Sequence, residues 1–298
     1  MEYSYIRNIA QENQHFYGWG YIINEYIKQT KLCPEGVVLD TWVDQRNNTS
    51  QLKLLTQNKW VGILHATPKA PSSNYNYNLG RFINSDNFKL SKHNCIYLIT
   101  TSEHSKKHLT SITDLPVKVL LHPKPDTGNY FDIDYYISKP IIRHSGFHAR
   151  NIDRFLSFKT GLQKIIYSDR EIYNSTYLDA LKVNTSDVIF KSKYLNNYNY
   201  IKIFTRTIGY NYFNDCSASN SILEHIMTRT PLIVNRIPPV EEYLGKDYPL
   251  YLDRINGNVD KHLQDKDFLN DVSTYLHIIS NRKEFSLEYF NNFLNELV

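Results

Sequence analysis

Cysteine is nearly absent from this chain of 298 residues, and the three copies present exclude two ways of holding a fold together. Cys33, Cys95 and Cys216 are odd in number, far apart and without a Cys-x-x-Cys pair, so neither a disulfide framework nor a zinc knuckle follows. Glycine and proline are scarce, at 11 each. No Gly-x-x-x-x-Gly-Lys-Ser/Thr loop, serine nucleophile elbow or zinc-protease motif occurs. No apolar run approaches the roughly 20 residues that span a bilayer. The opening Met-Glu-Tyr-Ser-Tyr lacks a basic stretch followed by an apolar one, so no signal peptide is expected. The expectation is a reduced, soluble, cytoplasmic protein whose Asn48-Thr49-Ser50 sequon stays unmodified. Neither sign of charge dominates. Lys and Arg total 34 against 30 Asp and Glu, and the resulting +4 is too mild to argue for nucleic acid.

Tyrosine is abundant, with 24 copies, in a chain also rich in Asn, Lys and Ile. AT-rich codons produce that mixture, and sugar-stacking surfaces also use tyrosine. The length allows one large or two medium domains. Short apolar runs alternate with helical patterns almost throughout, the signature of stacked βαβ units. In the first half, strands are expected at 5–9, 37–42, 60–65, 95–100 and 117–121, with helices at 20–30, 49–57, within 79–92, and at 103–112. From His122 to Lys139 the periodicity stops amid Pro123, Pro125 and Gly128, and Pro140 follows. That segment reads as an interdomain crossing, giving expected domains at 1–136 and 137–298. The second half restarts at Ile141-Ile142, and further strands fit 164–167, 188–191, 208–213, 232–235 and 250–252. About six strands suit one doubly wound sheet. Phe285, Tyr289, Phe290, Phe293, Leu294 and Leu297 describe an amphipathic C-terminal helix, able to pack on its own domain or on the first.

The densest signal runs from residue 203 to 245. An apolar run leads into Ser217, Ala218, Ser219, Asn220 and Ser221, then a helix, a strand at 231–235 and a turn at Pro238-Pro239 before Glu241-Glu242. Backbone N–H groups at such a helix start make an anion site, while Ser and Asn there equally cap a buried helix. Glu224 lies about one turn further in and, at about 1.5 Å per residue, within ribose range of a bound diphosphate. The stretch Ile142-Arg143-His144-Ser145-Gly146-Phe147-His148-Ala149-Arg150 marks another strand–helix junction. Gly146 permits close backbone approach there, and an arginine beside it neutralises phosphate, Arg150 first and Arg143 behind it. A solvated helix-start arginine fits the same pattern. His65 stands at the carboxyl end of a strand, placed to bond a sugar hydroxyl, assist proton transfer or serve only the core. Gly18, Trp19 and Gly20 precede a helix and suit an approaching acceptor or a plain tight turn. Asp132 and Asp134 have a metal-chelating form but lie in the crossing, and His104 with His108 shows no third ligand, so no metal site is assigned. Lys106 and Lys107 read as a solvated helix face.

On these residues the chain resembles the GT-B-fold glycosyltransferases, particularly the large retaining group called family 4, or glycosyl transferases group 1. Residues 221–235, Ser-Ile-Leu-Glu-His-Ile-Met-Thr-Arg-Thr-Pro-Leu-Ile-Val-Asn, and then Pro239-Val-Glu-Glu-Tyr-Leu-Gly245 carry the likeness. They are similar to the family's Leu-Glu-Ala-x-x-x-Gly-x-Pro-Val-Ile block and its Pro-Glu segment. The resemblance implies an α/β fold of two facing Rossmann-like domains with parallel sheets and C-terminal helices, the donor held mainly by the second. It implies that Glu224, matching the second glutamate of a Glu-x-seven-Glu motif, holds the ribose. It also implies that the Asn220 and Ser221 backbone meets the diphosphate and that Arg150 is the phosphate arginine. Two positions depart from the pattern. Eight residues before Glu224 stands Cys216 rather than Glu, with Asp215 beside it as a substitute. Thr230 takes the place of the usual glycine before Pro231, which mainly affects helix termination.

The expected activity is transfer of a sugar, hexosyl-like, from a UDP or GDP donor to a glycan, lipid or protein acceptor, without metal or other cofactor. His65, Arg150 and Glu224 form the expected catalytic set. Gly146, Arg143, Asp215, Ser219, Asn220 and Ser221 join Glu224 on the donor, with Gly18, Trp19 and Gly20 on the acceptor side. A non-catalytic nucleotide-sugar or glycan-binding protein of the same fold is the alternative that Cys216 motivates. A nucleic-acid-modifying transferase is a third, and a steep salt dependence would mark it.

Overall fold

The computed structural model describes residues 2–7, 18–44, 49–69, 78–146, 149–167, 188–191, 195–255, 257 and 259–297. Its elements begin with strand β1 (Tyr3–Arg7), helix α1 (Trp19–Gln29), β2 (Val37–Asp40), α2 (Thr49–Gln57) and β3 (Trp60–Leu64). Next come α3 (Leu79–Asn84), α4 (Asp86–Ser91), β4 (Cys95–Thr100), α5 (Glu103–Leu109) and β5 (Val117–Val119). They continue with α6 (Ile133–Ser138), β6 (Ile141–Ser145), α7 (Ile152–Leu156), β7 (Gln163–Tyr167) and β8 (Val188–Lys191). Then follow α8 (Asn197–Phe204), β9 (Ile208–Asn211), α9 (Asn220–Thr228) and β10 (Leu232–Val234). The last are α10 (Pro238–Leu244), α11 (Val259–Gln264), α12 (Lys266–Ser280) and α13 (Leu287–Glu296). The chain divides into two compact units. Unit 1 comprises Met1–Pro125, Asp215–Ser219 and Arg282–Val298, and unit 2 comprises Asp126–Asn214 and Asn220–Asn281.

Unit 1 is built on a parallel sheet in the order β1-β2-β3-β4-β5. Its central strands are apolar except at their carboxyl ends, Asp40 in β2 and Thr100 in β4, because both faces are covered. Val37, Leu39, Val61 and Ile63 join a core cluster with Trp19, Ile22, Ile23 and Tyr26 of α1. Their alternating neighbours Val38, Trp60 and Leu64 join Leu55 of α2, Phe82 of α3 and Phe88 of α4 on the other face. Phe290, Leu294 and Leu297 belong to the first of these clusters, so the C-terminal helix packs on the N-terminal strands and α1. Tyr3 Oη donates to the Leu294 carbonyl at 2.8 Å and Tyr26 Oη to Asn295 Oδ1 at 3.0 Å, satisfying two hydroxyls inside that contact. Asn8 and Ile9, part of the expected first strand, lie outside the described residues.

Unit 2 carries a second parallel sheet in the order β10-β9-β6-β7-β8. Strands β6, β7 and β8 run outward in one direction, and the chain then returns to place β9 on the other side of β6. The order therefore reverses between β6 and β9, which is where open α/β sheets bind ligands at their carboxyl ends. The expected sixth strand at 250–252 is a single bridge, Tyr251 with Val234, because the Arg254 and Ile255 amides turn back onto the Tyr251 carbonyl. The crossing also contains a helix that periodicity missed. Helix α6 is barely more than a turn long, started by Asp132 accepting from the Tyr135 amide and stopped just ahead of Pro140. The left-handed position ending α9 falls at Arg229, with φ of 55°, and not at Thr230. It is Arg229 that occupies the conformation a C-terminal glycine normally supplies. Among the described residues, no helix is long and apolar enough to cross a membrane.

Candidate functional site

The loops leaving β6 and β9 meet at the switch point of unit 2. Gly146 adopts φ of 73° directly after β6, a left-handed conformation that glycine takes without steric cost. The chain then pairs with the loop after β9. Arg150 bridges Phe213 in antiparallel fashion, the Asn151 amide donates to the Tyr212 carbonyl at 2.7 Å, and the Asn214 amide to the Ala149 carbonyl at 2.9 Å. This pairing brings the Arg150 guanidinium to 5.3 Å from the Phe213 ring centre and lays it against Gly146, where a Cβ would collide with Nη1. Gly146 and Arg150 are thus one steric unit. Phe147 and His148 lie outside the described residues.

Arg143 points elsewhere. It is 2% exposed within β6, with Nε donating to Thr207 Oγ1 at 3.0 Å and the guanidinium 4.0 Å from the Phe204 ring centre. Its Nη2 lies 3.5 Å from His225 Nε2. Because a guanidinium only donates, that nitrogen carries the imidazole lone pair and Nδ1–H donates to the Thr230 carbonyl at 2.8 Å. Burial drives His225 well below its usual pKa and lowers that of Arg143.

Glu224 follows on α9 and is 8% exposed, its Oε2 accepting from Tyr200 Oη at 2.6 Å. Burial raises its pKa to about 7, against the opposing pull of the Tyr200 hydrogen bond and of Arg143 and Arg150. At the start of the same helix the Asn211 amide donates to Ser221 Oγ, which ties the carboxyl end of β9 to α9. Asn211 Oδ1 is buried and lacks a hydrogen bond among the described residues. Asn220 opens the helix.

Within unit 1, His65 and Trp19 are brought together. Gly18 is the N-cap of α1, Trp19 and Gly20 are buried in its first turn, and the Trp19 and His65 rings stand edge to face at 4.5 Å. The Thr41 carbonyl accepts from Trp19 Nε1 at 2.9 Å and from His65 Nε2 at 3.1 Å. Trp42 closes the other side of the imidazole at 4.6 Å. Burial lowers His65 to about 3, so the ring is neutral with Nε2–H donating and Nδ1 left as an acceptor. Such a group can receive a hydroxyl proton in a hydrogen bond but is a poor general base. Asp44 Oδ2 accepts from the His65 amide at 2.8 Å and from the Ala66 amide, and burial raises this carboxyl to about 7.

Segment Asp215–Ser219 also belongs to unit 1. Asp215 Oδ1 lies 3.1 Å from His104 Nε2 and accepts from the Cys216 amide, while Oδ2 accepts from the Lys69 amide at 2.7 Å. Ser217 Oγ lies 2.7 Å from Thr101 Oγ1 and 3.0 Å from Ser105 Oγ, and Ser219 is buried. Asp132 and Asp134 are occupied by Arg206 and Lys266. Among the described residues, no three His, Cys, Asp or Glu side chains are grouped to hold a metal.

Sequence reasoning passed over Tyr200, Thr207, Thr41 and Asp44, all of which touch a candidate residue. Asp44 had a usable signal, since it stands just beyond an apolar strand. Tyr200 had none.

No protein-family model and no curated protein matches the chain. Solved structures do match. The pneumococcal O-GlcNAc transferase GtfA, in complex with UDP and GlcNAc, is 13% identical over 92% of this chain and 59% of its own, with a TM-score of 0.57. TarM is 11% identical over 93% and 57%, with a TM-score of 0.63. WaaG, a glycosyltransferase involved in lipopolysaccharide biosynthesis, is 11% identical over 97% and 98%, with a TM-score of 0.59. The chain thus spans under two thirds of GtfA and TarM and nearly all of WaaG. The likeness is one of fold, the GT-B architecture of two α/β units.

Proposed function

We propose that the chain is a glycosyltransferase that moves a sugar from a nucleotide-diphosphate donor to a hydroxyl of a glycan, lipid or protein. The observation that carries this reading is the convergence of Gly146, Arg150 and the α9 start, with Glu224 one turn on, at the β6–β9 switch of unit 2. Each has a separate task. Helix-start N–H groups and the Arg150 guanidinium suit a diphosphate, and Glu224 suits a ribose hydroxyl. In the reaction the bond from the anomeric carbon to the diphosphate oxygen breaks and a bond to the acceptor oxygen forms. The diphosphate leaves with the electron pair, its growing charge met by Arg150, and the acceptor proton ends on the leaving phosphate or solvent. On unit 1, neutral His65 offers Nδ1 as an acceptor to a hydroxyl. Neither task requires a metal.

Calorimetric titration of UDP, GDP and their sugars against wild type and Glu224→Ala tests this. Loss of the carboxylate is expected to weaken nucleotide binding by about 1.5–3 kcal/mol. Absence of nucleotide binding to wild type refutes the reading. The engagement of Asp215 by His104 and Lys69, next to Cys216, favours a second reading, a non-catalytic nucleotide-sugar binder. Donor hydrolysis abolished by Arg150→Ala would exclude it.

A further inference from the structure

We propose that Asn235 is a positioning residue for Arg150, its carboxamide standing in for strand backbone and fixing the loop that presents the guanidinium. The inference rests on the donor reading above, in which Arg150 meets the diphosphate.

The need for such a group follows from where β10 stops. The ladder between β9 and β10 ends with Val234 opposite Asn211, and Asn235, Arg236 and Ile237 then lead into α10. Phe213, in the loop after β9, lies beyond the reach of that ladder and is 2% exposed. A buried peptide group without partners is costly, so Phe213 needs both a donor and an acceptor. Asn235 supplies the two from one side chain. The Phe213 amide donates to Asn235 Oδ1 at 2.7 Å, and Asn235 Nδ2 donates to the Phe213 carbonyl at 2.9 Å. A carboxamide carries donor and acceptor in one plane, as a peptide group does, and here it extends the sheet by one rung. Asn235 is itself buried, which shields both bonds from water.

The opposite edge of Phe213 faces Arg150. The bonds from the Asn151 amide to the Tyr212 carbonyl and from the Asn214 amide to the Ala149 carbonyl flank the Arg150–Phe213 bridge. Flanking bonds leave the N–H and C=O of the bridged residue pointing the other way, and those are the groups that Asn235 holds. Phe213 is thus clamped on both edges, with its ring centre 5.3 Å from the Arg150 guanidinium. Released from Asn235, Phe213 gains freedom to shift, and the paired Arg150 shifts with it.

The test measures how much tighter UDP binds than uridine, by calorimetry with NMR titration for the weaker nucleoside. GDP and guanosine take their place if GDP binds better. That ratio isolates the diphosphate. Arg150→Ala is expected to lower it about tenfold or more. Asn235→Ala should lower it at least about threefold while the uridine affinity holds. In the Arg150→Ala background, Asn235→Ala should change the ratio by less than about twofold, because its effect passes through the arginine. Asn235→Asp fits the same space and keeps the acceptor but loses the donor, so it carries the comparison if the alanine variant folds poorly. Substitutions at Asn235 that weaken UDP and uridine alike, leave the ratio unchanged, or add independently to Arg150→Ala would overturn the proposal. A ratio untouched by Arg150→Ala would instead remove the phosphate role of Arg150, and the proposal with it. Failure of both UDP and GDP to bind wild type refutes the donor reading itself.

Discussion

His104 Nε2 stands 3.1 Å from Asp215 Oδ1, and the other oxygen of that carboxylate accepts from the Lys69 amide at 2.7 Å. Asp215 is 4% exposed and also serves the Cys216 amide, so its side chain holds its own loop against groups of unit 1. Asp215→Ala leaves the buried Cys216 amide and the half-buried His104 without this acceptor and is expected to lower stability by roughly 1–3 kcal/mol in urea unfolding. The affinity difference between UDP and UDP-sugar should be unchanged. A variant of full stability that loses only the sugar preference would instead assign the carboxylate to the donor.

Gly146 and Arg150 should fail together. Gly146→Ala places a methyl group in the path of the Arg150 guanidinium and forces alanine to φ of 73°. Left-handed backbone costs a non-glycine residue roughly 1–2 kcal/mol, so the melting temperature should drop. UDP affinity should fall about as far as in Arg150→Ala. A Gly146→Ala protein that binds UDP like wild type would separate the glycine from the arginine.

Both sheets were legible in the sequence, and their strand ends were not. Strands at 95–100 and 188–191 match residue for residue, whereas expected strands at 37–42, 60–65 and 117–121 overrun. The excess includes Thr41, Leu120 and Leu121, which are buried beyond the strand ends. Apolarity reports burial, and burial continues into the loops. Gly146, Arg150 and Glu224 were legible for a related reason, since strand, small-residue turn and helix are consecutive in sequence. Partners from distant segments were hidden. His104 and Asp215 are 111 positions apart, and Tyr200 is one tyrosine among 24 with no periodicity to single it out.

Trp19 illustrates how a candidate ligand contact can serve the core. The indole is 5% exposed, donates to the Thr41 carbonyl and packs edge-on to Phe290 of α13 at 5.7 Å. Trp19→Ala should therefore cost about 3–5 kcal/mol, as aromatic truncations in cores do. Nucleotide affinity, measured below the lowered melting temperature, should hold. A stable Trp19→Ala protein with impaired sugar transfer would place the indole on the acceptor instead.

The pH response follows from six buried groups. Burial holds His65 and His144 at about 3 and His122 at about 4, and drives His225 well below the ordinary histidine value. The same cause raises Asp44 and Glu224 to about 7. Between roughly pH 4.5 and 6.5, the unfolded chain binds protons on these four histidines that the fold refuses. The fold meanwhile keeps protons on two carboxyls that the unfolded chain has released. Four against two leaves the unfolded state ahead, so stability rises with pH across that window, by on the order of 2 kcal/mol per pH unit. The unfolded histidines lose their protons around pH 6.5 and stop contributing above about pH 7.5. The carboxyls have their higher pKa in the fold, so their contribution falls from about pH 4 and is gone above about pH 7, and the two opposing slopes nearly cancel there. Maximum stability is expected at about pH 7, with the urea midpoint well below it at pH 5 and nearly level from there to pH 8. A rise of about 5 kcal/mol per pH unit near pH 5, roughly double that expected, would show that Asp44 and Glu224 are already ionised in the fold. Glu224→Gln removes one of the two opposing carboxyls and should steepen the rise between pH 5 and 6.5.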